Sequence, residues 1–350
     1  MAYRVIGKTA FLDFLKNLAA EYEVVGPVQK APGTIVYRRL DDASAMVGEF
    51  QGSLLPPKKF FFPQKETLLR FDLSGAEPSA EAVVQVKPVA LVGVHPCDLH
   101  GLQRLDRVFA DDNPDPNYLE KREQALVIGM NCLPDDQCFC ASMGTLRPPE
   151  DGFDLFLTDT GDRFAVEIGS EKGEQALDRH AVTEAVEAAD VVRVSEWYER
   201  KEKAQKLAVR IPVEHLPLLF KGEYHAGIWD EHGKKCLSCG ACNLVCPTCY
   251  CFDVRDDVSL ADPSKGERTR VWDGCQLEEF ARVAGGENFR EHRSDRNRHR
   301  FYRKFLYPVL KYKKSFCVGC GRCVRSCLVH ISVVETVNHF VDKSLKGGAQ

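Results

Sequence analysis

Two segments of this chain carry cysteines at a spacing suited to redox chemistry. The first, CLSCGACNLVCP, supplies Cys236, Cys239, Cys242 and Cys246, followed by Pro247. The second, CVGCGRCVRSCL, supplies Cys317, Cys320, Cys323 and Cys327. Both read C-x2-C-x2-C-x3-C, the run of bacterial ferredoxins that holds 4Fe-4S clusters. Three thiolates two residues apart can wrap one corner of a cubane from a tight loop. Gly240 and Gly319 or Gly321 allow the backbone amides to come close to the sulfurs. In two-cluster ferredoxins the fourth cysteine of each run ligates the other cluster. That rule assigns Cys236, Cys239, Cys242 and Cys327 to one cluster, and Cys317, Cys320, Cys323 and Cys246 to a second. Structural zinc is the rival, but zinc sites pair a C-x2-C with a distant C-x2-C rather than repeating a four-cysteine run. Leu328 stands where a proline often follows the fourth cysteine.

Seven further cysteines need a role. Cys97 and Cys132 each follow an apolar run, in VALVGVHPCD and ALVIGMNC, and Cys138 and Cys140 lie in QCFCASMG. If the apolar runs are adjacent strands, their ends converge at one sheet edge, and four thiolates there make a full cubane set. The alternative is a group of buried free thiols, since cysteine packs as a small hydrophobe. His95 and His100 flank Cys97 and have the chemistry of ligands, although packing roles are commoner. Cys249, Cys251 and Cys275 remain; they read as structural thiols shielding the nearby cluster, with an additional metal as the alternative.

These residues must be positioned by a globular protein. The chain has 350 residues, 44% of them hydrophobic and 28% charged, with a formal net charge of −4. That excludes a disordered chain and gives no global pull toward nucleic acid or an anionic membrane. Fifteen cysteines are too few for a small disulfide scaffold of this length. Charges interrupt every apolar stretch of the N-terminal segment, so neither a signal peptide nor a membrane span is expected. The expected location is the cytoplasm, where clustered cysteines more often bind metal than pair.

The expected fold is an α/β N-terminal domain, residues 1–225, followed by a mostly helical, ferredoxin-like 4Fe-4S dicluster domain, residues 226–350, with a helical insertion between its two motifs. Lys8 to Ala20 has helical apolar spacing, and Thr34 to Arg38 reads as a strand. Pro88 to Val94, the helical pattern Leu99, Leu102, Leu105 and Val108, and Ala125 to Met130 predict a parallel strand–helix–strand crossover. Phe153 to Leu157 and Arg163 to Ile168 flank Thr160-Gly161-Asp162 as a hairpin. Glu174 to Ala189 and Ser195 to Val209 are expected to be surface helices.

Two basic features invite function. Residues 289–304, FREHRSDRNRHRFYRK, suit a solvated or partner-docking helix better than a nucleic-acid contact. A more specific reading is that their charge offsets anionic clusters and helps set their potentials. Lys58 and Lys59, after Pro56-Pro57, suit an exposed basic turn, with an anionic substrate site as the rival. No nucleophile elbow, Walker loop or dinucleotide fingerprint is present, so no catalytic residue is assigned. A zinc-dependent binding protein is the alternative of another class.

Several stretches together resemble a known family: PPKKFFFPQKETLLRF, VGVHPCDLHGL, NCLPDDQCFCASMG, CLSCGACNLVCPTCYCFDV, the RTRVWDGC to NFREHRS segment and CVGCGRCVRSC. In this order they are similar to the iron–sulfur β subunit of cytoplasmic group 3 NiFe hydrogenases, the sulfhydrogenases, and to the electron-entry iron–sulfur chain of anaerobic sulfite reductase. The resemblance covers about residues 55 to 335. It implies an electron conduit beside a partner subunit carrying FAD and NAD(P), serving a catalytic partner. That partner is a NiFe hydrogenase or, alternatively, a sirohaem sulfite reductase. It also implies that Cys97, Cys132, Cys138 and Cys140 hold a third 4Fe-4S cluster.

Overall fold

The computed structural model describes residues 2–347. The chain opens with β1 (Ala2–Gly7), α1 (Lys8–Leu18), β2 (Glu23–Ala31) and β3 (Thr34–Arg39). After β4 (Lys65–Asp72) and β5 (Ser79–Ala82) come β6 (Val89–Val94), α2 (Pro96–Phe109), α3 (Pro116–Gln124) and β7 (Leu126–Met130). The hairpin β8 (Leu155–Asp159) and β9 (Arg163–Ile168) follows, then α4 (Glu171–His180), β10 (Glu184–Ala185) and α5 (Ala188–Lys203).

Eight of these strands form one sheet in the order β10-β1-β9-β8-β7-β6-β2-β3. Its centre, β2, β6, β7 and β8, is parallel. Strands covered on both faces must be apolar throughout, which is why β6 and β7 read as unbroken runs. On one face Phe11, Phe14, Leu15 and Leu18 of α1 pack on Ala90, Val92, Leu126 and Ile128. On the other, Leu99, Leu102 and Leu105 of α2 pack on Leu91, Val94 and Val127. Each such side chain, fully buried, contributes roughly 1.5–3 kcal/mol. The register shifts between Val92 and Val94. Gly93 sits there at φ +76°, and a Cβ on it would meet Pro27 at 3.0 Å. The bulge aims the following His95-Pro96-Cys97 over the carboxyl edge of the sheet.

The crossover unit and the hairpin match the sequence expectation. The two surface helices are corrected. Ser170 accepts a hydrogen bond from the Gly173 amide and starts α4 ahead of Glu174. Glu187 and Asp190 form a capping box that starts α5 at Ala188, and the segment between carries the short β10. Nor is α5 merely superficial, since Trp197, Tyr198 and Lys201 are buried.

The remainder comprises α6 (Leu216–Gly222), α7 (Ile228–Lys235), α8 (Ala241–Leu244), β11 (Phe252–Val258) and β12 (Lys265–Trp272). Then follow α9 (Arg293–Phe305), α10 (Tyr307–Tyr312), α11 (Arg322–Arg325) and α12 (Val333–Gly347). The expected short helices are present, but the segment between the cysteine motifs begins with the hairpin β11–β12 rather than with helix. That hairpin joins β4 and β5 in a second antiparallel sheet, β11-β12-β4-β5. Arg270 on β12 anchors it: its guanidinium is 1% exposed and pairs with Glu66 of β4 and with Asp115 ahead of α3. Phe220, Trp229, Phe301, Tyr302, Phe305 and Phe340 make an aromatic core under α6, α7, α9 and α12.

Candidate metal centres

The two ferredoxin-type motifs fold into loops of the same shape. Ser238 and Gly240 take φ of +52° and +71°, and Gly319 and Gly321 take +64° and +68°. Each loop then enters a four-residue helix, α8 or α11, that carries the third cysteine. The glycines of the second loop also have a steric task. A Cβ on Gly319 would lie 2.7 Å from the Cys140 backbone, and one on Gly321 would lie 2.5 Å from the Gln137 carbonyl oxygen. The Phe139 amide donates to the Gly319 carbonyl at 2.8 Å, and Thr145 Oγ1 donates to the Val318 carbonyl at 2.7 Å. The second motif is therefore docked onto the CFC loop of the first half.

The thiols gather around three cavities. Cys236, Cys239, Cys242 and Cys327 line one, so the fourth cysteine comes from the other motif. The Ser238 and Ile331 amides donate to Cys236 Sγ and Cys327 Sγ at 3.3 and 3.4 Å. Cys317, Cys320, Cys323 and Cys246 line the second cavity. Cys97, Cys132, Cys138 and Cys140 line the third, at the carboxyl edge of β6 and β7. The cavities are contiguous. Cys323 and Arg300 border both the first and second, and Cys320 borders both the second and third.

Burial pushes four of these thiols up, Cys140 and Cys320 to about 11 and Cys242 and Cys317 to about 12, whereas the hydrogen bond with Cys249 holds Cys246 well below the usual thiol range. A metal entering there must displace protons. The donor sets fit cubanes. Each set places four cysteines on the wall of one cavity, the number a cubane takes, and among the described residues no three Cys, His, Asp or Glu side chains are drawn together closely enough to hold a single metal ion.

The basic run at residues 289–304 is not a solvated face. Arg296, Arg300 and Lys304 on α9 recur every four residues and turn inward, all under a tenth exposed. Arg300 faces Cys242, Cys323 and Cys246. Lys304 Nζ donates to Thr248 Oγ1 at 2.8 Å and to Cys249 Sγ at 3.3 Å. This geometry favours the charge-offsetting reading: anionic thiolates supply the counter-charge that buried cations require. Lys58 is also corrected from an exposed turn. It is 2% exposed, donates to the Cys249 carbonyl and lies 4.5 Å over the Trp272 ring. Burial lowers it to about 8. Lys59 Nζ donates to the Tyr37 carbonyl at 2.8 Å. Neither ammonium stands free for a substrate.

Asn243 Nδ2 lies 3.6 Å from Cys249 Sγ and 3.4 Å from Cys275 Sγ. These two thiols are buried behind the first motif, and Cys251 is half-buried. None of the three lines a four-thiol cavity. His100 Nε2 meets the Arg147 carbonyl at 3.0 Å, a packing role, whereas His95 lines the third cavity.

A 4Fe-4S dicluster domain model matches residues 235–331, the span of both motifs and the hairpin between them. Over 342 residues the chain is 33% identical to "Sulfhydrogenase 2 subunit beta" of Pyrococcus furiosus, covering 96% of this chain and 98% of that one. The chain belongs to the sulfhydrogenase β-subunit family. No solved structure matches it.

Two parts of this sulfhydrogenase-family site escaped the sequence reading. One is a buried ion pair: Arg322, on the wall of the third cavity, donates to both oxygens of Asp98 at 2.6 Å. Each partner directly neighbours a cysteine, Cys323 and Cys97, which was the available signal. The other is an open crevice of about 540 Å³ whose wall includes Cys132, Asn131, Lys8, Arg193, Trp197 and Arg200. It lies at the carboxyl ends of the parallel strands, where open α/β sheets bind ligands. Its cations come from separate elements, so no local pattern announces it. At the far end, Cys239 is exposed among Leu237, Leu277 and Leu328.

Proposed function

We propose that this chain is the iron–sulfur electron-transfer subunit of a sulfhydrogenase-type complex. Its proposed ligand sets are Cys236, Cys239, Cys242 and Cys327; Cys317, Cys320, Cys323 and Cys246; and Cys97, Cys132, Cys138 and Cys140. FAD and NAD(P) belong to a partner chain, and NiFe hydrogenase subunits carry out the catalysis. When bound, 4Fe-4S clusters supply one-electron carriers whose potentials follow charge, hydrogen bonding and burial.

The observation that carries this reading is the contiguity of three four-thiol cavities through shared walls. The rest of the chain's work is to hold the relay. The inward stripe of α9 offsets its negative charge, and the Asp98–Arg322 pair ties the third cavity to the second. The crevice beside Cys132 and the leucine rim around Cys239 are the two faces where partners exchange electrons. No helix among the described residues is long and apolar enough to cross a membrane.

The test is anaerobic purification of the complex with metal and flavin analysis. About 12 iron atoms in this chain, with nickel and flavin on co-purifying chains, are expected. About 8 iron atoms would remove the third cluster. Sirohaem without nickel would replace the hydrogenase partner with a sulfite reductase.

A further inference from the structure

His95 sits between β6 and α2, two residues before Cys97. It is 2% exposed, and its ring is stacked on Phe50 with centroids 4.1 Å apart. Its Nε2 is buried and has no hydrogen-bond partner among the described residues. Such an atom in a folded protein calls for an explanation. The surrounding polar groups are already committed. Both Asp98 oxygens accept from Arg322, and Lys201 Nζ is held by Asn131 Oδ1 at 3.1 Å and by the Leu146 carbonyl at 2.6 Å. What remains is the cavity itself, whose wall His95 shares with Cys97, Cys132, Cys138 and Cys140.

We infer that His95 is a positioning residue for the third centre, its Nε2–H donating a hydrogen bond to a sulfur of the cluster held by those four cysteines. This rests on the reading that the cavity holds a 4Fe-4S cluster. Four thiolates already satisfy four irons, so a fifth donor is free to act on sulfur. Hydrogen bonds to cluster sulfurs favour the reduced state. Lys201 borders the same cavity, is bonded only to neutral oxygens and adds positive charge in the same sense, whereas Arg322 and Arg325 there are paired with Asp98 and Asp135. Both groups make the third centre easier to reduce, and it lies beside the crevice through their shared Cys132.

The experiment is an EPR-monitored redox titration with iron analysis on the purified complex, comparing wild type, His95→Leu and His95→Gln. Leucine fills the space without an N–H, whereas glutamine restores one. The expected result is an unchanged iron content in both variants and a more negative potential for one of the three transitions in His95→Leu. His95→Gln should recover part of that shift. A bond giving a tenfold preference for the reduced state moves the midpoint by about 59 mV. Three unmoved transitions would overturn the proposal and leave the cluster assignment standing. Loss of about four irons in both variants, or strong nitrogen coupling to the wild-type centre, would overturn it in favour of ligation by His95. Wild type with about 8 irons and two transitions would overturn the cluster assignment itself.

Discussion

At the scale of single residues, spacing along the chain made the thiols legible and contact across the fold made their surroundings legible. The eight ferredoxin-type cysteines announce themselves because a cubane corner needs thiols within one tight loop. Ser238 hides its role, since only the backbone shows that it takes the left-handed conformation its counterpart Gly319 takes. Arg300 was visible only as one charge among several, yet it is the cation that borders two cavities. Arg300→Gln removes that charge while keeping a polar side chain. The expected outcome is a shift of two of the three redox transitions to more negative potential, with iron content retained. Redox titration of the variant complex checks this; movement of the third transition alone would contradict it.

At the scale of elements, periodicity succeeded for α1 and the crossover unit but misplaced the starts of α4 and α5 and passed over β2 and α12 despite their buried apolar faces. The unit β6–α2–β7 was readable because its strands are covered on both sides. Strands β4, β5 and β11 were not, because β5 is wholly exposed and β11 nearly so. Their pairing is held by cross-strand ion pairs such as Arg268–Asp256 at 2.7 Å, which leave no alternation to find. Helix α9 was readable in principle, since Arg296, Arg300 and Lys304 share one face at i, i+4 and i+8. Helices α2 and α11 are joined by the Asp98–Arg322 pair, 1% and 3% exposed. Removing one partner of a buried pair costs about 3–5 kcal/mol. Asp98→Asn should lower the stability of the complex-borne chain by that amount, read from the denaturant midpoint. An unchanged midpoint would mean that the nearby thiolates alone carry the charge of Arg322.

At the scale of the whole molecule, the two halves interlock rather than stand side by side. The second sheet draws strands from before and after residue 225, and the CFC loop seats the second motif. Nothing local in a sequence encodes such docking. The crevice, too, exists only once α1, β7, β8 and α5 are assembled. Lys8 there pairs with Asp159 at 2.9 Å, and Arg193 reaches Asp162 at 3.5 Å. Arg200 lies 5.6 Å over Trp197. If electrons enter at this face, Arg193→Glu with Arg200→Glu should slow reduction of the clusters by the proposed electron-donor partner and weaken its dependence on ionic strength. Iron content should stay constant. Stopped-flow reduction of the variant complex at low and high salt measures this, and an unaltered rate would move the entry point elsewhere.

The crossing of the fourth cysteines bears on biosynthesis. Cys327 completes the cavity of the first motif, and Cys246 completes that of the second. While the polypeptide is being synthesised, neither four-thiol set exists until the second motif has emerged. One centre cannot be loaded early as a scaffold for the other. On the proposed assignment, the cell's iron delivery machinery meets these two sites either both incomplete or both ready, whereas the set Cys97, Cys132, Cys138 and Cys140 is already synthesised by then. A nick anywhere between Cys246 and Cys317 would divide the proposed ligands of both centres at once.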